Sequence, residues 1–168
     1  EAWTSAGPAR LAETCRQHAV PMVHVSTDFV FDGAADKPYA PNAETAPLGV
    51  YGRSKLDGET AVRELLPDNS IVLRTAWLYS QYGGNFVDTM LRLMRERDAV
   101  QVVDDQVGSP TWARSVADLI FVMIARDRVS GTYHWTDGGQ TSWYQFACAI
   151  QEEALNIGQL DKPTAIRP

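Results

Sequence analysis

Residues 22–28 read Met-Val-His-Val-Ser-Thr-Asp, an apolar run that closes on three polar side chains. Upstream, Pro8 to His18 carries Leu11, Ala12 and Cys15 on one side and leads through Pro21 into that run. The pattern is helix, then buried strand. Downstream, residues 27 to 48 contain Gly33, Pro38, Pro41 and Pro47, which predicts a long irregular loop, and loops of that length in compact domains are usually functional or disordered. A helix is expected from Val50 to Leu66, stopped by Pro67, and a strand from Ile71 to Arg74. Beyond Gly83-Gly84 come a helix from Phe86 to Arg97, a strand from Val100 to Val103 and a turn at Gly108-Ser109-Pro110. The alternation closes with a helix from Trp112 to Arg126, a strand from Gly131 to Trp135 and a helix from Ser142 to Asn156, with Thr141 as its N-cap. Such alternation predicts an α/β domain with a mostly parallel sheet, and there is no internal repeat.

The chain of 168 residues, 45% hydrophobic and 21% charged, fits one domain with a full core. Its longest apolar stretches, such as Leu119 to Ala125, fall well short of the roughly 20 residues of a membrane helix, so no membrane partner is expected. A net charge of −6 without a large basic block argues against nucleic acid as a partner. Cys15 and Cys148 lack metal-type spacing and suit a reducing compartment, so the cytoplasm is the expected location. No metal site is expected. His18, His24 and His134 are not spaced as ligands, and Asp104-Asp105 reads as a solvated turn without a third ligand. Met90, Leu91 and Met94 read as core packing.

Tyr51 and Lys55 stand four residues apart on the second predicted helix, so they share one face. A cation near a phenol favours the phenolate, and such a tyrosine can exchange a proton near neutral pH. Open parallel sheets bind ligands beyond the carboxyl ends of their strands. Ser26-Thr27-Asp28, Thr75-Ala76-Trp77 and Asp104-Asp105-Gln106 all follow predicted strands and are expected to converge on one edge, faced by Tyr51 and Lys55. The residues alone leave other readings open. Thr27 and Asp28 suit turn hydrogen bonds, Trp77 suits a core, and a Tyr/Lys pair suits a solvated helix surface.

With Ser26-Thr27, Tyr51 and Lys55 so placed, the chain resembles the extended branch of the short-chain dehydrogenase/reductase superfamily, which acts on nucleotide sugars. The runs VHVSTDFVFDG, APLGVYGRSKLDGE, LRTAWLYS, NFVDTMLRLM, VVDDQVGSPTWARSVADLI and GTYHWTDGGQTSWYQFA, in this order, are similar to the dTDP-4-dehydrorhamnose reductase family. The resemblance covers nearly all of residues 8 to 158. It implies a Rossmann-like doubly wound parallel sheet, incomplete at its N-terminal side, with part of a small substrate-binding region. The implied reaction is reduction of the C4 ketone of dTDP-4-dehydro-L-rhamnose to dTDP-L-rhamnose by NADPH or NADH. It implies catalytic roles for Thr27, Tyr51 and Lys55, cofactor contacts from Ser26, Tyr51 and Lys55, and contacts to the dTDP-sugar from Thr27, Asp28 and Trp77. Substrate-binding elements would lie mainly in 27–48, 76–90 and 104–168, and the full-length protein could form a homodimer.

Phe29 stands where many members have Tyr, and Arg114 stands where some carry a carboxylate that helps bind Mg²⁺, so the metal is not carried over. None of the glycines forms the strand, Gly-rich turn and helix that grips a pyrophosphate. Residues 1–168 are therefore expected to be an internal fragment of an NAD(P)-binding reductase, with little or no activity alone. Two alternatives stay open: a non-catalytic relative such as the regulatory subunit of methionine adenosyltransferase, and a related nucleotide-sugar reductase or epimerase.

Overall fold

The computed structural model describes residues 6–126 and 129–168. In chain order the elements are α1 (Ala6–Gln17), β1 (Met22–Thr27), a 3₁₀ turn (Asp28–Val30), α2 (Val50–Leu65), β2 (Ser70–Thr75), β3 (Leu78–Tyr79) and α3 (Phe86–Glu96). Then follow β4 (Ala99–Gln101), β5 (Val107–Gly108), β6 (Thr111–Trp112), α4 (Ala113–Ile124), β7 (Gly131–His134), β8 (Thr141–Ser142), α5 (Trp143–Asn156) and β9 (Ala165–Arg167). The chain divides into two compact units. One takes the residues up to Ala76 together with Ala117–Trp135, and the other takes Trp77–Val116 and Thr136–Pro168.

The first unit is built on a parallel sheet in the order β1-β2-β7, with Thr27 opposite Thr75 and Arg74 opposite His134. All six residues of β2 are buried, which is why Ile71, Val72 and Leu73 run without polar alternation, as expected of a strand covered on both faces. Ala12 of α1, Val62 and Leu66 at the end of α2, and Val72 form the core on one side. Burying a valine such as Val62 or Val72 fully contributes about 1.5–3 kcal/mol. Ser70 donates to the Leu66 carbonyl at 2.7 Å and Met22 N–H to the Asn69 carbonyl at 3.0 Å, so the turn after α2 sets the starts of both strands. The expected parallel α/β architecture and the order of α1, β1, α2 and β2 hold.

The second unit packs α3 against α5 around Met90, Met94, Val100, Ala147, Ile150 and Leu160, with Leu91 at the margin of this core. Its strands are short pairs: β3 with β6, β4 with β9, and β5 antiparallel to β8. Two expectations change here. The Val100 strand is not part of the main sheet, since β4 pairs with β9 in a two-stranded sheet of its own. Asp104-Asp105-Gln106 therefore follows a strand that is not a member of the β1-β2-β7 sheet. The reason lies in the strand itself: only Val100 of its three residues is buried, where a central parallel strand would be covered on both faces. The N-cap of α5 is Ser142 rather than Thr141. Ser142 Oγ accepts from Gln145 N–H at 3.1 Å and the Gln145 side chain reaches back, while the Thr141 hydroxyl donates to the Ser142 carbonyl at 3.2 Å.

Candidate active site

The first unit places Thr27, Tyr51 and Lys55 around the carboxyl end of β1. Lys55 is half-buried and its Nζ donates to the Val25 carbonyl at 2.7 Å, which takes one of the three ammonium protons. Burial holds the Lys55 amine below its usual value, and the negative charge of Glu59 opposes that shift. Tyr51, one turn earlier on α2, is 54% exposed, and its ring meets Phe29 edge-on at 5.9 Å between centroids. Between them Gly52 lets the helix approach the 3₁₀ turn. A Cβ at Gly52 would stand 2.0 Å from the Phe29 carbonyl oxygen.

Thr27 is buried and caps the 3₁₀ turn: its hydroxyl accepts from Phe29 N–H at 3.2 Å and donates to Asp28 Oδ1 at 3.1 Å. Its single proton is thus directed at Asp28, and donation to a ligand requires the hydroxyl to rotate. The Asp28 residue lies at the surface, but neighbouring protein desolvates its carboxyl and pushes it above the usual value, against the hydrogen bond from Thr27. Ser26 is separated from this open face. It is buried, and its hydroxyl lies against Glu59, outside regular hydrogen-bond geometry.

Beneath Lys55 lies a polar network that reading the sequence did not anticipate. Glu59 is fully buried and takes a two-pronged bond from Arg74, Nε at 2.9 Å and Nη2 at 2.7 Å, with Arg63 Nη1 at 2.9 Å on the same carboxylate. Desolvation raises the Glu59 carboxyl, but Arg74, Ser26 and Arg63 outweigh it and hold it below its ordinary value. Arg74 also donates to the Pro41 carbonyl at 3.2 Å, meets His134 Nε2 at 3.4 Å and lies over the Phe31 ring at 5.1 Å. Phe31 in turn stacks on Tyr39, whose carbonyl meets His134 Nδ1 at 3.1 Å. One ion pair so organises α2, β2, β7 and the loop at 39–41. A signal was present: Arg74 is the lone charge in the run Ser70-Ile-Val-Leu-Arg-Thr75, and a buried charge calls for a partner.

Trp77 belongs to the second unit. It holds φ of +48°, in the left-handed region that a bulky residue rarely adopts, and stacks on Trp143 at 3.5 Å between centroids. Gly108 makes room for the indole, since a Cβ there would come within 2.6 Å of Trp77 Cε2. Among the described residues there is no cluster of His, Cys, Asp and Glu able to hold a metal, and no helix is long and apolar enough to cross a membrane.

A family model described as the RmlD substrate binding domain matches residues 2–167. The chain is 48% identical over 141 residues to a dTDP-4-keto-6-deoxy-D-glucose reductase of Streptomyces niveus, covering 84% of the chain and 49% of that protein. It is 41% identical over 166 residues to a dTDP-4-dehydrorhamnose reductase of Streptomyces griseus, covering 96% and 53%. The crystal structure of dTDP-4-dehydrorhamnose reductase from Bacillus anthracis in complex with NADP superposes with a TM-score of 0.90 at 36% identity, over 98% of this chain and 56% of that one. The chain spans about half the length of the curated relatives it matches.

Proposed function

The chain belongs to the RmlD substrate-binding domain family, and from that membership we propose that the protein is an NAD(P)H-dependent reductase of the C4 ketone of a dTDP-6-deoxyhexulose. The first-choice reaction is dTDP-4-dehydro-L-rhamnose to dTDP-L-rhamnose. The observation that carries the reading is the seating of α2 on the end of β1, where the Lys55 ammonium is fixed on the Val25 carbonyl one turn from an exposed Tyr51.

A nicotinamide cofactor, when bound, supplies the hydride. Two Lys55 protons stay available for ribose hydroxyls, and the exposed Tyr51 hydroxyl suits the same contact, so these residues fit the nicotinamide end. In the described residues no strand of the parallel sheet is followed by a Gly-rich turn that opens a helix, so they do not fit the pyrophosphate.

In the proposed reaction Tyr51 is the general acid that gives its proton to the ketone oxygen as negative charge develops there. The Lys55 charge stabilises the phenolate that remains, a proton-transfer contribution of about 10²–10⁴-fold. Thr27 swings its hydroxyl from Asp28 to the same oxygen and acts as a placed donor. Asp28 beside it, and Trp77 with its indole fixed on Trp143, are the proposed contacts to the sugar nucleotide. Ser26, buried against Glu59, supports the site from below.

The test is the full-length protein with NADPH and each of two ketones, dTDP-4-dehydro-L-rhamnose and dTDP-4-keto-6-deoxy-D-glucose, with cofactor oxidation followed by absorbance. The second ketone is included because the 48% identical relative is named for it. Higher kcat/KM for the rhamnose precursor is expected. Folded protein that oxidises NADPH with neither ketone overturns the reading.

A further inference from the structure

The buried carboxylate of Glu59 stands one helical turn beyond Lys55, as Lys55 stands one turn beyond Tyr51, so the three share one face of α2. Around it are Arg63 from the same helix, His24 and Ser26 from β1, Arg74 from β2 and, through Arg74, His134 from β7. His24 is buried with Nε2 unpartnered and is held down to about 4 by desolvation and by the charges of Lys55 and Arg63, so it is neutral at pH 7. The charges facing Glu59 are then those of Lys55, Arg63 and Arg74, all positive.

We propose that Glu59 is a positioning residue: one buried carboxylate that locks α2 to β2 and, as the anion shared by three cations, keeps the Lys55 ammonium charged on the Val25 carbonyl. The proposal rests on the reading of Tyr51 and Lys55 as the proton-transfer pair. Two observations carry it. The carboxylate is fully buried yet saturated by the Arg74 fork and Arg63, so it cannot wander from its place under Lys55. Arg74, which holds it, is itself fixed by the Pro41 carbonyl, so the position of Glu59 is set from outside the helix. A partly buried amine with no anion nearby would shed its proton more readily, and the direction of the Lys55 shift, down by burial and up by Glu59, agrees.

The experiment uses the full-length protein with lysine labelled at Nζ and titrated by NMR, the Lys55 signal being assigned by its loss in Lys55→Met. In Glu59→Gln the Lys55 midpoint should fall by about one pH unit, the scale of an opposite charge at close range. The alkaline limb of the kcat profile should fall with it, with KM for the ketone little changed. Glu59→Asp, which retains the charge, should restore most of both. Should Glu59→Gln fail to fold, Arg63→Met, at a partly exposed site, should raise the Lys55 midpoint by releasing Glu59 from one competing cation. An unchanged Lys55 midpoint in whichever variant folds overturns the proposal. Because the titration needs no turnover, a shifted midpoint in a protein without reductase activity would sustain the Glu59 link while refuting the proposed reaction.

Discussion

Gly52 lies so close to Phe29 that a Cβ would stand 2.0 Å from the Phe29 carbonyl oxygen and 3.1 Å from Pro47 Cβ. Its φ does not require glycine; the space does. A glycine inside a helix costs about 0.5–1 kcal/mol relative to alanine, and here that cost brings α2 down onto the segment holding Thr27 and Asp28. The Tyr51 ring beside it then meets Phe29 edge-on.

Helix propensity alone predicts that Gly52→Ala stabilises the protein. The contact with backbone predicts the opposite, a loss of about 1–3 kcal/mol typical of overpacking. Urea denaturation of the two proteins decides the sign. Because α2 must move away from the 3₁₀ turn, kcat should also fall at least about tenfold, since small misplacements of reacting groups are costly.

Arg74→Met leaves Glu59 buried without its two-pronged partner, and breaking a buried pair from one side costs about 3–5 kcal/mol. The double variant Glu59→Met/Arg74→Met removes both charges and should be less destabilised than Arg74→Met alone. A double-mutant cycle by chemical denaturation measures the coupling.

His24 sets an acid limit on stability. Its folded value is about 4 against 6.5 for the free side chain, so between those values the unfolded chain binds the extra proton and stability falls as pH falls. At 1.36 kcal/mol per unit the loss across that window is about 3 kcal/mol. Glu59, also held below its ordinary value, adds its loss only at lower pH. His24→Gln should flatten the stability profile between about pH 6.5 and 4, measured by thermal melts across that range.

The first unit was largely legible because its signals are local and strong: the apolar run 22–25, the proline stop after α2 and the all-buried β2. The placement of Tyr51 and Lys55 followed from helix periodicity. Pairing was less legible. Alternation of strand and helix says that β4 exists but not which sheet it joins, and two-residue strands such as β5 and β8 are too short to show any period. The cap at Ser142 has a signal in the sequence, Gln145 three residues on, which is the spacing of a capping box. Glu59 and Arg74 lie 15 residues apart, and only the fold shows that each is the partner the other needs.

In the proposed reaction Tyr51 gives the proton to the ketone oxygen. Full-length Tyr51→Phe, which keeps the ring against Phe29, should bind dTDP-4-dehydro-L-rhamnose as the wild type does while its kcat falls by about 10²-fold or more. Turnover of Tyr51→Phe at the wild-type rate would contradict the account.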